Sequence, residues 1–167
     1  AMSRIYLDHA ATTPLRPEAR EAMLRGFELW ANPSSPHAEG RKARAALEDA
    51  RERIKAALGW DGEVIFTSGA SEAAALARSS GALTFGSVVE HDAIYDRLDY
   101  PLPVMEDGRL DLSTFGQAVR IADASGKDIS KRALVAVQEI NSETGNRQDI
   151  TLVAQAVGEV GGVLLVD

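Results

Sequence analysis

The sequence predicts an α/β fold built on a mostly parallel sheet with helices on both faces. Three observations lead there. From Glu63 onward, short apolar runs alternate with polar turns and helical patterns, the texture of βαβ units. The runs are short and continuously apolar, as strands buried on both faces are. Polar, chemistry-bearing residues follow several of the runs directly, at the carboxyl ends where open α/β sheets hold their ligands.

Taken in order, Pro17 opens a helical pattern with Ala19, Met23, Phe27 and Trp30 at steps of three and four, halted by Asn32-Pro33-Ser34-Ser35-Pro36. A second helix places Ala43, Leu47, Ala50, Ile54 and Ala57 on one face and is closed by Gly59. The charges around its other face, Arg44, Glu48, Arg51, Glu52 and Lys55, read as a solvated surface and receive no chemistry. Strands are predicted over Val64 to Thr67, Leu83 to Val89, Ala133 to Gln138 and Val163 to Asp167. A helix starts near Ala73 to Ala77, and Ile150 to Val160 forms a crossover helix ended by Gly161-Gly162. Ser125 to Arg132 reads as a polar loop, and neither a repeat nor a long linker interrupts the chain.

The 167 residues, 45% of them hydrophobic, suit one core of ordinary size and lead us to expect one compact unit. Within it, residues 1–60 form an amino-terminal arm with helices and residues 61–167 a domain that stops at Asp167. A formal charge of −7 works against polyanions, so no nucleic-acid partner is expected. No apolar stretch approaches the roughly 20 residues that span a bilayer, and no leader is evident, so the expectation is a cytoplasmic protein without a membrane partner. Ala1 ahead of Met2 reads as an addition to the natural start. With no cysteine, disulfides, thiolate ligands and a cysteine nucleophile are excluded within these residues, and no metal site is predicted.

Four segments carry chemistry. Thr67-Ser68-Gly69-Ala70-Ser71-Glu72 joins a strand to a helix start, where unpaired N–H groups and hydroxyls suit a phosphate dianion. The alternative there is an ordinary capped helix. Glu90-His91 follows a strand; the imidazole is suited to stacking on an aromatic ligand or to proton transfer, or is a plain surface residue. Asn141-Ser142-Glu143-Thr144-Gly145 is a polar turn in which Asn141 either donates to a ligand oxygen or closes an Asx-type turn. Asp167 ends the run Val163-Leu164-Leu165-Val166, as a ligand carboxylate or a strand-end cap. All four fall at carboxyl ends of predicted strands, so they would converge on one pocket with a phosphate end and a carboxylate end.

In this order and together with Tyr6-Leu7-Asp8-His9-Ala10-Ala11-Thr12-Thr13-Pro14 and Asn32-Pro33-Ser34-Ser35-Pro36-His37, these blocks resemble the cysteine desulfurases, in the class V aminotransferase branch of fold type I pyridoxal-phosphate enzymes. The resemblance implies a partial fold type I large domain with pyridoxal phosphate as cofactor. By it, Ala70 and Ser71 hold the cofactor phosphate, His91 stacks on the pyridine ring, Asn141 bonds the phenolic oxygen, and Asp167 pairs with the ring nitrogen. His91 and Asp167 would be the catalytic pair, and Ala11 and Thr12 would lie near the substrate.

The implied activity is removal of sulfur from L-cysteine, leaving alanine, with the sulfur carried as an enzyme persulfide to an acceptor protein. The implied assembly is a homodimer, with Trp30 and Asn32 to His37 as contact residues. The family's Schiff-base lysine, persulfide cysteine and substrate arginine come downstream of the aspartate. This chain is therefore expected to be an amino-terminal portion that does not turn over substrate by itself. Its own lysines, Lys42, Lys55, Lys127 and Lys131, lie on a helix face or in a polar loop. Ala74, Ala75 and Ser142 stand where the family usually carries asparagines, and Arg78-Ser79-Ser80-Gly81 replaces most of a helix and its connection. Another class V enzyme, an aminotransferase or selenocysteine lyase, is the near alternative, and a non-catalytic phosphate-binding module the distant one.

Overall fold

A computed structural model describes residues 5–9, 12–79, 83–125, 133–142 and 144–167. The chain divides into two compact units, Ala1–Phe66 and Thr67–Asp167.

In the first unit, helix α1 (Pro17–Phe27) starts at a proline, with Glu18 in its first turn and Arg25 in its last, both favourable to the helix dipole. It buries none of its residues; Met23 and Phe27 are exposed, as is Trp30 just beyond. In the following turn Asn32 accepts the Ser34 N–H on its side-chain oxygen. His37 then caps α2 (Ala38–Leu58), its Nδ1 accepting from the Gly40 N–H at 3.1 Å. Gly40 is buried where a Cβ would collide with the Ser35 carbonyl. Gly59 closes the helix at φ +61°, the left-handed conformation that glycine adopts without strain. The predicted charged face is present as the i,i+3 pairs Arg51–Glu48 and Lys55–Glu52.

The strand predicted over Val64 to Thr67 is not formed. Ile65 and Phe66 stay 75% and 45% exposed. Arg51 of α2 holds the segment instead, donating Nε–H to the Val64 carbonyl at 3.1 Å and laying its guanidinium 5.5 Å from the Phe66 ring centroid. An apolar run becomes a strand only beside a partner that completes the ladder, and no described residue supplies one.

The second unit holds α3 (Ala70–Arg78), β1 (Thr84–Ser87), α4 (Asp92–Tyr95), β2 (Tyr100–Leu102), α5 (Leu112–Ala124), β3 (Leu134–Val137), α6 (Ile150–Glu159) and β4 (Val163–Val166). Among the described residues the strands form one parallel sheet in the order β2-β1-β3-β4. The three strands and two helices predicted after residue 67 are present, and β2, α4 and α5 add to them. Arg78 belongs to α3, with Ser79 as its cap, and Ser125 caps α5. Ser80 and Gly81, and residues 126–132 of the predicted polar loop, lie outside the described residues.

Period-two alternation sends neighbouring side chains of each strand to opposite faces. Phe85, Val135 and Val137 pack with Phe115 and Ala122 of α5 and Val153 and Val157 of α6. On the other face Ala136 packs with Ala74 of α3 and Ile94 of α4. The sheet is thus covered by helices on both sides, and its strands run parallel, so their carboxyl ends share one edge. No helix among the described residues is long and apolar enough to cross a membrane.

Candidate active site

The carboxyl edge of the sheet collects the chemistry. β1 ends at Ser87 and leads into Glu90 and His91; β3 ends at Val137 and leads into Gln138 and Asn141; β4 ends at Val166, beside Asp167. Because β1, β3 and β4 are neighbours, the three exits lie side by side.

Hydrogen bonds tie the exits together. The Glu90 carboxylate accepts the Ser87 hydroxyl at 2.6 Å and the Gln138 backbone N–H at 2.8 Å. Asn141 donates from Nδ2 to the Val89 carbonyl at 2.7 Å and to Gln138 Oε1 at 3.1 Å. The Asp167 N–H donates to the Val137 carbonyl, and the Asp167 carbonyl accepts the Glu139 N–H, both at 3.0 Å. The backbone at Asp167 is therefore fixed while its side chain is exposed.

Asn141 also closes a local turn. Its Oδ1 accepts the Thr144 N–H at 2.8 Å, its carbonyl accepts the Gly145 N–H, and Gly145 turns at φ +72°. The side chain is buried, and both of its N–H directions already have protein acceptors. His91 is exposed and caps α4, its Nδ1 accepting the Ala93 N–H at 3.1 Å. That contact fixes the ring's orientation.

At α3 the cap is Gly69, which offers no side-chain acceptor to the first turn. Of the capped-helix alternative, the Ser or Thr at the N-cap is not found, while Glu72 does stand in the first turn. The Glu72 carboxylate reaches back to the Ser68 N–H at 2.5 Å and hydroxyl at 2.6 Å, and these bonds hold its carboxyl below the usual range. Ala70 and Ser71 stand at the exposed helix start, one turn ahead of Ala74, which is buried against Ile94 and Ala136. Thr12 lies in the other compact unit, its N–H bonded to the Asp8 carbonyl, and Ala11 lies outside the described residues. A hollow of about 390 Å³ is lined by Arg109, Glu139, Arg147, Gln148 and Asp149 and by none of the cofactor candidates. No group of three or more His, Asp or Glu among the described residues is placed to hold a metal.

Glu90 and Gln138 stand at this edge, and sequence reasoning left both without a role. Both are 8% exposed. The signal for Glu90 was present in Ser87 three residues earlier, the spacing that lets the hydroxyl reach the carboxylate. Burial pushes the Glu90 carboxyl above its ordinary 4.5; the hydrogen bonds from Ser87 and Gln138 oppose the rise, and the charge of Asp167 adds to it. A carboxyl raised in the folded state favours folding when protonated. Its contribution is complete below 4.5 and is lost as pH climbs through the raised value. Glu90→Gln cannot ionise, so its melting temperature should exceed that of the wild type at neutral pH, and the gain should shrink toward about pH 4. Thermal melts of both proteins across that range check this.

The sequence matches the aminotransferase class-V family over residues 5–167. It is 34% identical over 186 residues to a cysteine desulfurase of Cereibacter sphaeroides, an alignment covering 99% of this chain and 46% of that protein. The fold superposes on a NifS-like protein from Rickettsia africae ESF-5 with a TM-score of 0.78 at 27% identity, covering 98% of this chain and 47% of the other. It also superposes on SspA solved in complex with cysteine, with a TM-score of 0.77 at 26% identity, covering 97% and 50%. The chain thus spans about half the length of these relatives.

Proposed function

The chain belongs to the aminotransferase class-V family, and from the arrangement at its strand ends we propose that it forms the cofactor-cradling part of a pyridoxal-phosphate-dependent cysteine desulfurase. The observation that carries this is the cross-linking of three adjacent strand exits, by Glu90 to Gln138, Asn141 to Val89 and Asp167 to Glu139. One edge then carries an imidazole, an amide and a carboxylate on chain segments that are tied to one another.

The groups present fit the cofactor's chemistry. Neither Glu90 nor Asp167 has a cationic partner among the described residues, so a protonated ring nitrogen would supply the missing charge. In this reading Asp167 pairs with that nitrogen and keeps it protonated. The first-turn N–H groups at Ala70 and Ser71, left without a side-chain cap, receive the phosphate. His91, its ring fixed through Nδ1, lies over the pyridine face, and Asn141 gives up its longer bond to Gln138 Oε1 in order to donate to the phenolic oxygen. Bound in this way, the cofactor supplies an electron sink for a substrate carbanion. Ala11 and Thr12 are assigned to the substrate side.

The overall reaction we assign is L-cysteine plus an enzyme thiol giving L-alanine plus an enzyme persulfide, which passes its sulfur to an acceptor protein. The thiol must come from outside these residues, which contain no cysteine. A homodimer, with Trp30 and Asn32 to His37 in the contact, belongs to the same reading.

The direct test is titration with pyridoxine phosphate, which lacks the aldehyde and so cannot be captured by surface lysines. We expect saturable binding, with amide NMR shifts at Ala70, Ser71, His91, Asn141 and Asp167. A folded chain that shows neither would refute the cofactor reading. Release of alanine from L-cysteine by the complete enzyme tests the desulfurase assignment separately.

A further inference from the structure

We propose that Glu90 is a positioning residue of this site: by accepting the Ser87 hydroxyl on one oxygen and the Gln138 N–H on the other, it locks the His91 turn to the β3 exit beside Asp167. The inference rests on the cofactor reading above for its function, but its geometry stands in the chain alone.

Three features separate this role from ordinary turn chemistry. The two Glu90 oxygens serve different strands, so the side chain is a bridge between exits rather than a cap on one of them. The bridged turn is tied a second time, because the Val89 carbonyl beside Glu90 accepts from Asn141. His91 follows Glu90 directly, so the backbone from which its side chain leaves is held at the residue before it. Finally, Glu90 is only 8% exposed and has no ion pair among the described residues, so its two oxygens are satisfied by hydrogen bonds to the two exits rather than by a counter-charge.

Glu90→Ala removes both bonds. Glu90→Gln keeps the shape: its carbonyl oxygen can accept the Gln138 N–H while its amide nitrogen donates to Ser87 Oγ. In the ligand-free chain we expect Glu90→Ala to move the His91 imidazole and amide signals, and Glu90→Gln to return them near their wild-type positions. Affinity for pyridoxine phosphate should fall by about tenfold in the alanine variant and recover in the glutamine variant.

Unchanged His91 signals and affinity in Glu90→Ala would overturn the proposal, as would a glutamine variant no better than alanine. If Glu90→Ala does not fold, Ser87→Ala decides, since it removes one of the two Glu90 bonds, together with the Val89 N–H bond to the same hydroxyl, and leaves the Gln138 bond in place; His91 signals identical to wild type would then overturn it. Should the wild-type chain fail to bind pyridoxine phosphate, the cofactor reading alone falls. The His91 shifts of the free chain still test the positioning role.

Discussion

Asp167→Ala is expected to weaken binding of pyridoxine phosphate by roughly tenfold to a hundredfold, the range for losing a charge-assisted contact, while the melting temperature stays within about a degree of wild type. The asymmetry follows from how Asp167 is held. Its backbone N–H and carbonyl join the sheet through Val137 and Glu139, and neither bond involves the side chain. The carboxylate itself is exposed, with no ion pair among the described residues to lose. Removing it should therefore cost the fold almost nothing and remove the counter-charge for a protonated ring nitrogen. Asp167→Asn refines the test, because it keeps the size and one acceptor but not the charge. It should lose nearly as much affinity as alanine if charge is what binds. Isothermal titration together with a thermal melt of each variant reads both quantities. Unaltered affinity in Asp167→Ala would end the assignment of this residue to the ring nitrogen.

The elements most legible in the sequence were those whose signal is local. The stripe from Ala43 to Ala57, bounded by a cap and a glycine, becomes α2 with Gly59 in the left-handed conformation. The Leu/Val runs after residue 83 become parallel strands because neighbours of their own kind are available. The run at Val64 had the same texture and failed for lack of a partner, which no local pattern reveals. β2 escaped notice because Pro101 sits at its centre; proline is tolerated there because β2 is the edge of the described sheet and its outer side needs no ladder bond. α5 could have been found from Leu112, Phe115, Val119 and Ala122, whose spacing marks one face, but Gly116 and the polar residues around it blur the stripe.

The candidate site divides in the same way. That polar residues follow strands was readable, and the parallel order then places His91, Asn141 and Asp167 on one edge. What the polar groups do to one another was not readable. Asn141 closes an Asx-type turn and also reaches Val89, 52 residues earlier, and Glu90 bonds Gln138, 48 residues later. Contacts at that separation depend on register, which is set by the whole sheet.

Phe85→Ala should produce the largest loss of stability, about 3–5 kcal/mol, with a further share from broken ring contacts. Phe85 is fully buried in β1, stacked on Tyr100 of β2 with ring centroids 5.0 Å apart and edge-to-face with Phe115 of α5 at 5.8 Å. It also faces Tyr100 in the strand register, so one side chain links two strands and a helix. Against a typical total stability of about 5–15 kcal/mol, such a loss leaves the second compact unit marginal at room temperature. Urea denaturation should show a much lower midpoint than wild type. Phe27→Ala, at a position 72% exposed in α1, should change it little and serves as the control for removing a phenyl ring as such. Because β1 carries the turn to Glu90 and His91, Phe85→Ala should also lose pyridoxine phosphate binding in proportion to its unfolded fraction and regain it when a stabilising osmolyte refolds the chain. Asp167→Ala should gain nothing from the osmolyte. That contrast distinguishes a side chain that builds the edge from one that acts on it, and equal rescue of the two variants would mean that Asp167 contributes to binding only through the fold.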